Sequence, residues 1–300
     1  MRSISNSRSI ILADAHVHLH NCFNISQVLN AAWNNFQRAA TRQTGNHSYI
    51  GVLFLTEIRS EQRFQELYKK TSVSPDHIYS SDPLREWTIY GTQESVSLLA
   101  KDPDNNTIII LAGRQIVTQE NLEVLALISD QQFEDGQSLP DTLTAITAAG
   151  GMPVLPWGVG KWLGRRGKLV RQLLESDITA TVCLGDNSGR PIFWPRPDHF
   201  KTAECKGIKV LPGTDPLPLT TELNRPGQFG FEIEGTLDPA KPGKSMKNLL
   251  LDTNTTIKVY GNLENPIRFF HNQWMLRFSR KQITQKVMHR SVDSSAQPNC

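Results

Sequence analysis

Two histidines one residue apart, His16 and His18, stand at the end of the first apolar run of the chain, behind Asp14. Alternate side chains of an extended strand point to one face, so the two imidazoles are predicted to converge. A pair of convergent ring nitrogens is a chelate for a divalent ion. Two further segments carry chemistry of a different kind. Gly158-Val159-Gly160-Lys161, followed by Gly164-Arg165-Arg166-Gly167-Lys168, precedes a helix, where backbone N–H groups and basic side chains together suit an anion. Gly185-Asp186-Asn187-Ser188-Gly189-Arg190-Pro191 follows an apolar run and offers Asp186, Asn187 and Arg190 to a substrate, although the same residue types build ordinary turns. The first segment does not fit the P-loop spacing, so kinase-type chemistry is disfavoured.

The elements that must position these groups are legible from periodicity. Short apolar runs at Ser9–Ala13, Tyr49–Leu55, Thr107–Ala112, Met152–Leu155, Thr179–Leu184 and Gly207–Leu211 read as buried strands. Ile25, Val28, Leu29, Ala32 and Phe36 share one helical face. Ser138-Leu139-Pro140-Asp141 starts a second helix that stops at Gly150-Gly151, and a third is predicted over about Lys168 to Glu175. Strand and helix thus alternate, which predicts a parallel sheet or barrel, whose active sites lie at the C-terminal strand ends. The segment Asp76–Pro103, with a short strand at Trp87–Tyr90, reads as a hairpin insertion. Beyond Gly235 come a loop over 238–243, a strand at Ile257–Tyr260 and an amphipathic helix around Ile267–Phe278. The last dozen residues are polar and predicted to fray.

Composition removes several classes. Thirty-two basic residues against 29 acidic ones give a formal charge of +3, too small to signal nucleic-acid binding. No apolar run approaches a membrane-spanning length, so no membrane partner is expected. The four cysteines, Cys22, Cys183, Cys205 and Cys300, form no Cys-x-x-Cys pair, which fits a reducing, cytoplasmic setting. Of the other histidines, His20 and His199 lie near the segments expected at the site, and His47, His77, His271 and His289 are scattered.

Asp14-Ala15-His16-Val17-His18-Leu19-His20 resembles the opening motif of the PHP (polymerase and histidinol phosphatase) family, within the wider amidohydrolase-like superfamily. The order of segments across Ile10 to Gly235 is similar to a PHP domain. That resemblance implies an α/β fold, a distorted (βα)7-type barrel over residues 9–235, with residues 236–300 as an extension packed on it. It also implies divalent metal and hydrolysis of a phosphoester or related bond in a small or phosphorylated substrate. Where the family has Thr-Asp-His, this chain reads Thr56-Glu57-Ile58, keeping a carboxylate and losing an imidazole. Gly-x-Glu-Ile becomes Gly113-Arg114-Gln115-Ile116, and His-Pro becomes Leu155-Pro156-Trp157. The late Gly-Ser-Asp motif resembles Gly213-Thr214-Asp215, without its following histidine. The resemblance therefore carries over His16, His18, Asp215 and Glu57 as ligands, a set suited to one ion of zinc, manganese or iron. Asp215 would also accept a proton from water, and Arg114 would meet an anionic substrate group. The lost ligands imply an alternative, a degenerate barrel that binds a ligand or partner without turning it over.

Overall fold

The computed structural model describes residues 9–44, 49–73, 77–79, 86–176 and 182–275. Residues 179–181 of one predicted strand, the end of the last predicted helix and the tail lie outside them. In chain order the elements are β1 (Ser9–Val17), α1 (Ile25–Thr44), β2 (Tyr49–Leu55), α2 (Arg63–Val73), β3 (His77–Tyr79), β4 (Trp87–Gly91) and β5 (Ser97–Lys101). Then follow β6 (Thr107–Leu111), β7 (Gly113–Val117), β8 (Glu123–Leu127), α3 (Leu139–Ala148), β9 (Met152–Pro156), α4 (Arg165–Glu175) and β10 (Cys183–Asn187). After these come α5 (Asp198–Cys205), β11 (Val210–Gly213), a 3-10 turn (Thr220–Glu222), β12 (Gly230–Gly235), α6 (Pro242–Leu251) and β13 (Lys258–Tyr260). A last helix covers 266–275.

The barrel predicted from strand-helix alternation does not form. The strands make two mixed sheets, one of eight strands in the order β13-β12-β1-β2-β6-β5-β4-β3 and one of five in the order β11-β10-β9-β8-β7. The architecture is α+β. Among the described strands, parallel ladders join β1-β2-β6 and β9-β10-β11, whereas β12, β5 and β8 pair antiparallel to β1, β6 and β9. The reason lies in the short connections: β4-β5-β6 and β7-β8 return by turns too brief to hold a crossover helix. A buried apolar run such as Thr107–Leu111 reads the same whether its neighbour is parallel or antiparallel.

Apolar side chains fill three layers. On β1, Leu12 joins Val28, Leu29 and Phe36 of α1 on the outer side of the larger sheet. Ile11, Ala13 and Ala15 face the other way, into a core shared with Leu125, Val154 and Leu211 of the smaller sheet. The outer side of the smaller sheet is covered by α3, α4 and α5 through Leu143, Val170 and Phe200. Residues beyond 235 contribute Met246 and Leu250 of α6 to the middle layer and β13 to the edge of the larger sheet.

At one end the two sheets touch. The chain leaves β6 at Leu111 and enters β7 of the other sheet at Gly113, where an added Cβ would lie 2.3 Å from the Leu55 carbonyl oxygen. Gln115 N–H donates to Glu57 O at 2.9 Å there, and Asp215 N–H donates to His16 O at 2.8 Å on the far side. Gly213 makes the second approach possible, since its Cβ would lie 2.4 Å from His16 N. Glycine is the one residue that lets backbones come so close.

Candidate metal centre

The end where the sheets meet is where His16 and His18 stand. The β1-β2 register shifts between Asp14 and Val17, so regular alternation does not run through the motif. The rings nevertheless converge: His16 Nε2 and His18 Nε2 are 3.2 Å apart. Asp215, about two hundred residues on, brings Oδ1 to 3.4 Å from His16 Nε2 and 3.5 Å from His18 Nε2. Gln115 Oε1 lies 3.3 Å from His16 Nε2. Four-coordinate bonds of about 2.0–2.1 Å separate neighbouring donors by roughly 3.3 Å, the edge of the tetrahedron. The donor set and its spacing therefore fit one divalent ion held by His16, His18 and Asp215, with Gln115 at its side.

Asp14 fastens this end of the fold and does not face the cluster. Its carboxylate accepts from Thr214 N at 2.9 Å, Thr214 Oγ1 at 2.6 Å, Gly227 N at 2.8 Å and His16 N at 3.2 Å. Burial nonetheless pushes its pKa up to about 6 against these donors. Asp215 has a left-handed backbone, φ 46°, and its Oδ2 accepts from the Asn187 amide. Its side chain is a quarter exposed. Partial burial works to raise its pKa, but His16, His18, Lys161 and Asn187 outweigh it and hold the carboxyl below its ordinary value. Burial lowers the pKa of His16. Burial acts the same way on His18, but Glu61 and Asp215 overcome it and hold that ring above the usual histidine value.

The other predicted residues separate into two groups. Asn187 and Lys161 line the cleft above the cluster, a cavity of about 530 Å³ that also meets Gln115, Glu123 and Asp215. Lys161 pairs across it with Glu123 of β8. Asp186 and Arg190 form a buried two-point ion pair, Nε to Oδ1 at 3.0 Å and Nη2 to Oδ2 at 2.8 Å, and line a different cavity. Glu57 is not among the donors that converge. Its Oε1 accepts from Phe64 N at 2.7 Å, at the start of α2, and its Oε2 faces Arg114 at 3.4 Å. Arg114 is buried and donates to Glu61 O at 2.6 Å, so it braces the 57–61 loop and is not presented to a substrate.

Sequence reasoning did not single out Glu61 or assign a partner to His20. Glu61 Oε1 lies 2.6 Å from His20 Nδ1, and its Oε2 lies 3.6 Å from His18 Nδ1. Burial raises the Glu61 pKa, but the two histidines outweigh that and hold the carboxylate well below its usual range. The signal was a second carboxylate four residues after Glu57, without a spacing rule to connect it to His20.

No family model and no curated protein matches the sequence. Among solved structures, PsfC from Pseudomonas syringae PB-5123 is similar over 91% of this chain and 99% of its own length, at 12% identity and a TM-score of 0.49. So remote a likeness says nothing of chemistry, and the PHP resemblance rests on the sequence motif. No helix among the described residues is long and apolar enough to cross a membrane.

Proposed function

We propose that this protein is a metal-dependent hydrolase acting on a phosphoester or related bond in a small or phosphorylated substrate. The observation that supports the reading is the meeting of His16 Nε2, His18 Nε2 and Asp215 Oδ1, with separations of 3.2 to 3.5 Å, beside a cleft that Asp215 and Gln115 line. A divalent ion in such a site supplies a water of lowered pKa and polarises a phosphoryl or carbonyl oxygen. The chain's own residues do the rest. Asn187 fixes the Asp215 carboxylate by its Oδ2, leaving Oδ1 turned to the histidines. Gln115 presents an uncharged oxygen beside His16, so the site keeps a smaller negative charge than a carboxylate there would give. Lys161, a third exposed, can exchange its contact with Glu123 for an anionic substrate group, which frees the Glu123 carboxylate to accept a proton. A cytoplasmic setting accords with free thiols at Cys22, Cys183 and Cys205.

The test is metal content of the purified protein, followed by turnover of a panel of phosphomonoesters and phosphodiesters with added zinc or manganese. One bound ion and metal-dependent turnover is the expected result. Protein that takes up no divalent ion refutes the reading, and protein that takes one up without turning over any ester supports the noncatalytic alternative.

A further inference from the structure

A second group of potential donors, His18, His20 and Glu61, lies directly behind the first and is buried throughout. Its geometry differs in kind. The Glu61 Oε1 to His20 Nδ1 separation of 2.6 Å is a short hydrogen bond, well under the roughly 3.3 Å at which two donors share one tetrahedral ion. The other nitrogen of His20 is also engaged, at 2.9 Å from the Pro216 carbonyl oxygen. His18 cannot serve both groups with one nitrogen: its Nε2 is turned to His16 and Asp215, which leaves Nδ1 toward Glu61. That Nδ1 is buried and has no hydrogen-bond partner at its present 3.6 Å from Glu61 Oε2.

We infer that Glu61 is a positioning residue for the metal site proposed above, aligning His18 by its Nδ1–H and tying it through His20 to the Asp215 loop, and that this second group holds no ion. The inference rests on the metal-site reading. A ring whose Nε2 lone pair goes to an ion carries its proton on Nδ1, and a carboxylate behind that N–H fixes both the tautomer and the ring plane. Glu61 can do this because it is itself fixed. Ile58 N–H donates to its Oε2 at 3.2 Å, and Arg114 donates to its carbonyl oxygen at 2.6 Å. His20 extends the brace to Pro216, the residue after Asp215. Glu57 in turn accepts from the start of α2 and faces Arg114, so Glu57, Glu61 and Arg114 build one support.

The experiment measures zinc or cobalt affinity by chelator competition, ion stoichiometry, and the visible spectrum of the cobalt-loaded protein, for the parent, Glu61→Gln and His20→Gln. An amide at position 61 keeps the volume but cannot accept from both rings. The expected result is one ion per chain in all three proteins, affinity lowered 10- to 100-fold in Glu61→Gln, and a shifted cobalt band, with thermal unfolding of the metal-free proteins little changed. Two ions in the parent falling to one in either variant would show a second metal site and overturn the inference. So would one ion bound by Glu61→Gln with parental affinity and spectrum. A parent that binds no ion refutes the proposed function itself, which keeps the two failures distinct.

Discussion

Gly213→Ala tests whether the close approach of β11 to β1 is what assembles the candidate metal centre. An alanine Cβ at 213 would lie 2.4 Å from His16 N and 2.5 Å from His16 Cβ, and both belong to the strand that carries the ligands. Ordinary contact begins at about 3.4 Å, so the end of β11 must retreat by about 1 Å. Asp215 travels with it, because its N–H is hydrogen-bonded to His16 O across the same gap. Separations of 3.4 and 3.5 Å from Asp215 Oδ1 to the two rings would then stretch by about 1 Å, whereas metal–ligand distances tolerate only about 0.2 Å. Losing one of three protein ligands should weaken zinc binding by 100-fold or more, about 2.7 kcal/mol at 1.36 kcal/mol per decade. Overpacking should also cost about 1–3 kcal/mol of stability. The control is Gly136→Ala, where φ is +85° and nothing lies within 4 Å of the added Cβ. It should lose about 1–2 kcal/mol through left-handed strain and bind zinc as the parent does. Chelator competition and urea unfolding read both effects. A Gly213→Ala protein that binds zinc within threefold of the parent, with an unchanged urea midpoint, would refute the reasoning.

His16→Ala and Asp215→Asn should each abolish stoichiometric metal binding and metal-dependent turnover while unfolding at nearly the parent's midpoint; undiminished turnover in both would place the chemistry elsewhere. Protons compete with the ion for the ring of His18, which Glu61 and Asp215 hold above the usual histidine value, so affinity should fall by about tenfold per unit as pH drops below neutral. A flat affinity between about pH 7.5 and 5.5 would contradict this. Arg114→Met leaves Glu57 buried without its cationic neighbour and should cost about 3 kcal/mol in urea unfolding, whereas Lys161→Met, at a partly exposed pair, should cost under about 1 kcal/mol. Cys22 and Cys205 are exposed and should react readily with a thiol reagent. Burial pushes the Cys183 thiol up to about 12, and it should react only after unfolding.

How much of this was legible in the sequence depended on the range of the forces involved. Local periodicity located β2 at Tyr49–Leu55, found the start of α1 at Ile25 and placed α3 and α4 within a few residues, because one buried face dictates spacing along the same segment. The Ser138 cap was equally local: its hydroxyl accepts from Asp141 N–H in the structure. Sheet order is not local. The β7-β8 hairpin escaped notice because Gly113–Val117 contains Arg114 and Gln115, polar residues that a barrel rim would also carry. The segment over 238–243 reads as loop from its prolines, yet Pro242 stands in the first turn of α6, where a missing N–H goes unused.

The candidate site shows the same division with a chemical consequence. His16 and His18 were found because two imidazoles sat two residues apart, and Asp215 because a motif marked it. Glu57 and Arg114 were assigned by their place in a motif, and the structure gives both another task. A carboxylate and a guanidinium at neighbouring points of two sheets neutralise each other when buried, since neither has water to turn to. Their pairing closes the space beside the loop, and Glu61, four residues after Glu57, is carried round to the back of His18. The charge that a ligand at 57 would bring to a bound ion would thus come from one step further out. If an ion binds as proposed, it would meet one carboxylate directly and a second through an imidazole, an arrangement that suits a single ion with an exchangeable position better than a cluster.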